Sequence, residues 1–211
     1  MSELTAGRLS VYLRSLNVLE ATGVKTVSSK ALAEQFHLNA AQIRKDLAYF
    51  GEFGIRGVGY YVKELKRQLR VILGLDRTVR VAVIGAGNLG MALADYPGFR
   101  QEGFSIVGMF DAQLAKVGLR SKGGVPIHHI ADFAAMVAGE HIDIAVIAVP
   151  AEAAQTVVDT AVAAGVRAVL NFSPGTLQVP PTVKLKNVDL TVSMESLSFF
   201  LARGDADGQE V

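Results

Sequence analysis

The chain has 211 residues, half of them apolar, with no cysteine and a formal net charge of +1. That length holds two small domains or one medium one with a sizeable core, and the missing thiols exclude disulfides, thiolate nucleophiles and zinc fingers, which fits a reducing cytosol. The start, MSELTAGRLS, lacks the basic, apolar and small-residue order of a signal peptide, and no apolar run reaches the ~18 residues of a membrane span, so the expectation is a cytoplasmic protein with no membrane partner.

The charge is unevenly divided. Residues 1–80 hold 13 Lys and Arg against 7 Asp and Glu, a net of +6, while residues 81–211 hold 8 against 13, a net of −5. Such asymmetry fits a module for a polyanion joined to one that is not, or a basic solvated face with no partner at all. Short helices are expected first. Leu9, Tyr12, Leu13, Leu16 and Leu19 form one apolar stripe at helical spacing, ended by Gly23. A second helix starts at Ser28 or Ser29 and presents Leu32 and Phe36. His37-Leu38-Asn39 is a turn, after which Asn39 caps a third helix with Gln42 placed as a capping-box partner. Two short helices so joined resemble a helix-turn-helix.

On the third helix Ile43, Leu47 and Phe50 lie within about 40° of one another at 100° per residue, while Ala41, Arg44, Lys45 and Ala48 lie on a face roughly 150° away. One side is core. The other offers two cations flanked by small residues: Arg44 or Lys45 could read guanine or hold phosphate, and Gln42 could read adenine. The plainer reading is a solvated basic face. The segment GEFGIRGVGY follows, in which Phe53, Ile55, Val58 and Tyr60 support a short hairpin and glycines, Gly57 among them, leave Arg56 bare at its tip. A hairpin after a recognition helix is the wing of a winged helix, and a lone tip arginine suits the narrow minor groove of A·T-rich DNA. A fourth helix carries Val62, Leu65, Leu69 and Ile72 and ends at Gly74; LGLDRT is the linker.

Beyond it, strands and helices alternate. VRVAVIG, FSIVGMFD, DIAVIAVP and VRAVLNF read as strands, with helices after GAGNLG, over Ala131–Ala138 and over Ala151–Ala164. This predicts a doubly wound parallel sheet, so the chain is expected to be α/β, with a winged helix at 1–77, a Rossmann-type domain at 78–190 and a dimerisation helix and tail at 191–211. Gly85, Gly87 and Gly90 stand directly after a strand and open a helix, as the dinucleotide fingerprint requires: a tight turn, close approach of backbone to pyrophosphate, and close helix–strand packing. Asp111 ends the second strand 21 residues past Gly90, where a carboxylate accepts from the adenosine ribose and repels a 2′-phosphate, favouring NAD(H). The expected contacts are Gly85, Ala86, Gly87, Asn88, Leu89, Gly90, Asp111, Val149 and Pro150. Coenzyme A and an empty degenerate site remain alternatives.

Catalysis is not expected. The fold leaves about 35 residues, too few for a substrate domain, and His37, His128, His129 and His141 have neither triad nor metal-ligand spacing. His128 and His129 are read as turn or cap residues before a helix. Near the C-terminus, SMESLSFFLARG makes a helix that is apolar nearly all round through Met194, Leu197, Phe199, Phe200 and Leu201, a surface that must be covered; the expectation is a C-terminal helix exchanged in a dimer, the alternative a helix tucked against its own domain. The polar end, GDADGQEV, is expected to fray.

Taken together, QIRKDLAYFG, IRGVGY, and ALADYPGF with its preceding fingerprint resemble the Rex family of redox-sensing transcriptional repressors over nearly the whole chain. The resemblance implies a homodimer on palindromic operator DNA that NADH releases and that responds to the NADH/NAD⁺ ratio. It implies that Arg44 and Lys45 enter the major groove and Arg56 the minor groove, and that Arg14, Tyr96 and Asp189 form a polar switch between domains of the two subunits. Ala48 stands where a Ser is often found, and Leu190 where some members have an aromatic residue. Two readings stay open beside it: an oxidoreductase or CoA-binding enzyme with a basic accessory domain, and a DNA-binding protein whose Rossmann unit is only a scaffold.

Overall fold

In the structure, a computed structural model, residues 3–203 are described, and contacts divide the chain into two compact units after Thr78. The expected fraying of residues 204–211 lies outside the described residues. In the first unit α1 (Glu3–Ala21) buries the whole predicted stripe, with Leu9, Tyr12, Leu13, Leu16 and Leu19 at most 2% exposed. It packs on α4 (Val62–Ile72), whose Val62, Leu65 and Leu69 are equally buried, and Lys66 of α4 is paired with Glu20 of α1 at 2.6 Å.

Between them lie α2 (Ser29–Phe36) and α3 (Ala40–Ala48). Ser28 Oγ accepts from the Ala31 amide at 3.0 Å, and His37 closes α2 in the left-handed region with φ 53°. Asn39 Oδ1 accepts from the Gln42 amide at 2.9 Å, so both caps stand where the sequence puts them. Phe50 does not extend the α3 stripe: the helix stops at Ala48, and Phe50 lies beyond it, half-buried. The hairpin is β2 (Gly54–Ile55) with β3 (Gly59–Tyr61), and a further strand not expected from sequence, β1 (Thr26–Val27), pairs with β3 to give the antiparallel order β1-β3-β2. Glycine is required at position 59, because its φ is +95° and a Cβ there would press on the Val27 carbonyl of β1.

The second unit carries one six-stranded parallel sheet in the order β6-β5-β4-β7-β8-β9. Its strands are β4 (Val79–Ile84), β5 (Phe104–Asp111), β6 (Ile127–His129), β7 (Ile144–Ile147), β8 (Ala168–Asn171) and β9 (Lys184–Asn187). The helices are α5 (Asn88–Ala94), α6 (Pro97–Gln101), α7 (Phe133–Glu140), α8 (Ala151–Ala163) and α9 (Leu190–Arg203). Phe110, Phe133, Ala145, Ile147 and Val158 form the centre of the core on one face of the sheet. The chain winds from β4 out to β6, returns to β7 beside β4, and continues to β9, so the order reverses between β4 and β7. Ligands of open α/β sheets bind at such a reversal, outside the carboxyl ends of the strands.

Three particulars differ from the sequence expectation. His128 and His129 belong to β6, with Phe110 opposite His128 and Asp111 opposite His129, although His129 Nδ1 does accept from the Ala131 amide at 3.3 Å as a cap would. The helix expected over Ala131–Ala138 begins at Phe133, after a 3₁₀ turn at Ile130–Asp132, and runs to Glu140. The last helix starts at Leu190 rather than near Ser193, and β9 precedes it.

Candidate nucleotide and nucleic-acid sites

The residues expected to hold a dinucleotide gather at the carboxyl ends of β4, β5 and β7. Gly85 has φ +106° and donates its amide to the Phe110 carbonyl at 2.7 Å, and a Cβ there would collide with the Ala148 carbonyl past the end of β7. A Cβ on Gly90 would collide with the Gly85 carbonyl, so α5 presses directly onto the turn. No atom lies within 4 Å of the Cβ position at Gly87, the N-cap of α5, which leaves the approach to the turn open. The first-turn amides of Asn88 and Leu89 have no intrahelical acceptor, and Leu89 is 42% exposed beside them. Val149 is half-buried at the end of β7, and Pro150 is the exposed residue that opens α8.

Asp111 is held by three donors. Its Oδ2 accepts from the Ala86 amide at 2.8 Å and from Lys116 Nζ at 2.9 Å, and its Oδ1 accepts from the Gln113 amide at 2.9 Å. Burial pushes this carboxyl up, but the Gln113 amide, the Lys116 ammonium and the Ala86 amide outweigh it, so the group stays below the usual carboxylate range. The residue expected to select the ribose therefore also braces the phosphate turn. Lys116 was not anticipated, and its side chain carries the counter-charge to Asp111.

In the first unit the basic face of α3 is exposed as expected: Arg44, Lys45, Ala41 and Ala48 all face solvent. Arg44 Nη1 donates to Ser29 Oγ at 2.9 Å, which steers the guanidinium along the start of α2. Arg56 and Gly57 are exposed at the hairpin tip, where the Val58 amide closes the turn onto the Ile55 carbonyl at 3.0 Å. Gln42 is engaged differently. Its Nε2 donates to Asp46 Oδ1 at 2.7 Å, so the side chain neither returns to the Asn39 amide as a capping box would nor stands free toward a base.

Asp46 is the residue that sequence reasoning missed. It is 4% exposed on α3, and Arg8 of α1 grips it bidentately, Nε to Oδ2 at 2.6 Å and Nη2 to Oδ1 at 2.7 Å. Tyr12 Oη adds a third donor to Oδ2 at 2.9 Å. The Arg8 hydrogen bonds hold the Asp46 carboxyl down to about 2 against the opposing effect of burial, and burial with the adjacent carboxylate pushes the Tyr12 phenol up to about 12. The available signal was a charge inside an apolar stripe, between Ile43 and Leu47. Of the three residues assigned to the switch, Arg14 is exposed on α1 of the first unit. Tyr96 is 58% exposed and stacks edge-on against Phe99 at 5.1 Å. Asp189 is exposed and caps α9, its Oδ1 accepting from the Thr191 amide at 2.8 Å. Among the described residues no His, Asp and Glu cluster could hold a metal ion, and no helix is long and apolar enough to cross a membrane.

Comparison with known proteins agrees with this division. Residues 1–48 match the family model "Putative DNA-binding protein N-terminus", and residues 76–175 match "CoA binding domain". The chain is 49% identical over 203 residues to the redox-sensing transcriptional repressor Rex of Carboxydothermus hydrogenoformans, covering 95% of this chain and 96% of that one. It is also 49% identical to Rex of Thermus thermophilus, over 93% of this chain and 92% of the relative. Among solved structures, RSP in complex with β-NAD⁺ and operator DNA matches with a TM-score of 0.91 at 38% identity, over 100% of this chain and 99% of that one. RSP in complex with β-NADH matches with a TM-score of 0.86 at 37% identity, over 99% and 98%. With identity this high over nearly its whole length, the chain belongs to the Rex family of redox-sensing transcriptional repressors.

Proposed function

We propose that this protein is a repressor that binds palindromic operator DNA as a homodimer and is released from it by NADH, so that it reports the NADH/NAD⁺ ratio. The observation that carries the reading is a glycine turn braced by Asp111 at the reversal point of a parallel sheet, in a chain whose other unit presents Arg44, Lys45 and Arg56. The dinucleotide is a sensed ligand, not a reactant: the relatives are transcriptional repressors, not enzymes.

Support for the dimer comes from α9. Met194, Leu197, Phe199, Phe200 and Leu201 are between 51% and 82% exposed on the single chain, an apolar surface that a second copy would cover. A two-fold dimer sets two α3 helices on the two halves of a palindrome, about one DNA turn apart. In this mechanism Arg44 and Lys45 read or grip the major groove, Arg56 enters the minor groove, and Arg14, Tyr96 and Asp189 bias the dimer between its two states. NADH favours a closed arrangement whose α3 helices no longer match adjacent grooves, whereas NAD⁺, with its cationic planar ring, does not hold that arrangement. To act as a switch the ligand must prefer one state, typically by ~1–3 kcal/mol.

The test is fluorescence anisotropy on a palindromic A·T-rich duplex at fixed salt, with NADH, with NAD⁺ and with neither. Binding relieved by NADH alone is expected. Binding indifferent to both ligands, or no binding, would overturn the reading.

A further inference from the structure

The carboxyl ends of β8 and β9 carry a polar cluster that neither the phosphate turn nor the DNA face uses. Asn171, the last residue of β8, is 1% exposed. Its Oδ1 accepts from the Ser173 amide at 2.9 Å, and its Nδ2 donates to the Ser173 carbonyl at 2.9 Å and to Asn187 Oδ1 at 3.0 Å. The Ser173 amide fixes which end of the Asn171 side chain is oxygen, so Asn171 can offer only N–H to Asn187, and Asn187 must answer with its oxygen. Ser173 Oγ in turn donates to the Val149 carbonyl at the end of β7. On the far side, the Val188 amide donates to the Asn171 carbonyl at 2.8 Å, and Asp189, the next residue, caps α9.

Position gives this cluster its meaning. In a doubly wound sheet each half holds one mononucleotide. Asp111 marks β4, β5 and β6 as the adenosine half, which leaves the nicotinamide half over β7, β8 and β9, where Val149, Ser173 and Asn171 stand. A series of hydrogen bonds thus runs from Val149 through Ser173 and Asn171 to Asn187, and Asn187 stands two residues along the chain from Asp189, which caps α9. A buried amide with every group satisfied has a defined arrangement, and shifting one partner obliges the others to follow or lose a bond.

We infer that Asn171 and Asn187 are positioning residues that transmit occupancy of the nicotinamide half-site to the start of α9. This rests on the NADH-released repressor reading above and names the route by which the ligand is felt. Asn187 is exposed and is the partner to change, since its removal leaves the β8 loop and its Ser173 bonds in place. One neutral hydrogen bond present in only one of two states moves their equilibrium by about 2- to 12-fold.

The quantity to measure is the ratio of operator affinity without NADH to that with saturating NADH, together with the NADH affinity of the free protein and of the operator-bound protein. Asn187→Ala should reduce the ratio by about 2- to 12-fold and, by linkage, weaken NADH binding to the free protein by the same factor, while ligand-free operator affinity and the NADH affinity of the operator-bound protein stay as in the parent chain. Asn187→Asp, which keeps an acceptor for Asn171 Nδ2, should restore it. An Asn187→Ala protein with the parent ratio overturns this inference and leaves the repressor reading standing. A parent chain with no NADH effect removes both, and an NADH affinity that falls equally in the free and the operator-bound protein, with the ratio unchanged, shows that Asn187 serves binding and not transmission.

Discussion

Replacing Asp46 by Asn tests whether α1 holds α3 through a buried ionised carboxylate. The substitution keeps the shape of the side chain but sets an N–H where Arg8, Tyr12 and Gln42 all donate. The carboxyl is held at about 2, below the usual carboxylate range, so its extra preference for the ionised form relative to the unfolded chain stabilises the native state by about 2 kcal/mol at pH 7. The neutral amide loses at least that preference, and the mismatched donor adds to it. Because the folded-state value is depressed, this stability is present above the unfolded carboxyl value and lost as pH falls through the folded one. The gap between parent and Asp46→Asn should therefore be level between pH 5 and 8 and fall to roughly half, about 1 kcal/mol, at pH 3. Urea unfolding followed by tyrosine emission suits the question, since Tyr12, Tyr49, Tyr60 and Tyr61 lie in the first unit, only Tyr96 lies in the second, and there is no tryptophan. A gap below about 0.5 kcal/mol at pH 7, or one that does not shrink toward pH 3, would refute the clamp.

The other predictions concern the ligands and the assembly. Arg56→Ala should weaken operator binding about 10-fold or more and lower the salt slope by about 1, with NADH affinity within about 2-fold of the parent; an equal loss of NADH binding would show that the hairpin is not a wing. Asp111→Asn should weaken NADH by on the order of 10-fold in a fluorescence titration and narrow the preference over NADPH. Since the Asp111 carboxyl lies below its ordinary range, NADH affinity in the parent should be level from pH 8 to 5 and decline only in more acid solution, as the carboxylate takes up a proton. Leu197→Asp with Phe200→Asp should give a monomer by sedimentation and weaken binding to a full palindrome far more than to a half-site. A dimer that survives both charges would place the interface elsewhere.

How much of this was legible depends on how local the encoding is. The stripe of α1 and the caps at Ser28 and Asn39 are repeated within a few residues, and all appear in the structure. The runs that became β4, β5, β7 and β8 are buried near the centre of the sheet and had to be apolar. The three strands that were not expected lack such a signature. β1 is two residues long, and it exists because β3 lies beside it and Gly59 admits its backbone. β9, KLKN, is an edge strand with a single half-buried apolar residue, Leu185, and lysines on an edge discourage further pairing, so hydropathy conceals it. β6 carries two histidines whose place is set by register with Phe110 and Asp111.

The same distinction explains the sites. The position of the glycine turn and of Asp111 at the end of β5 was readable because the dinucleotide fingerprint joins consecutive residues and sets a carboxylate at a fixed strand length beyond them. Arg8 and Asp46 are 38 residues apart, and Asn171 and Asn187 are 16 apart; only the packing of α1 on α3 and the register of β8 on β9 bring them together. Each pair contains a nearly fully buried polar group, and such a group requires its partners more strictly than an apolar neighbour does, since a lost methyl leaves a small cavity while a lost acceptor strands a donor away from water. The residues hardest to foresee from sequence are therefore the ones at which a single substitution separates alternatives most sharply: Asp46 between a clamped and an independent α3, and Asn187 between a binding site and a switch.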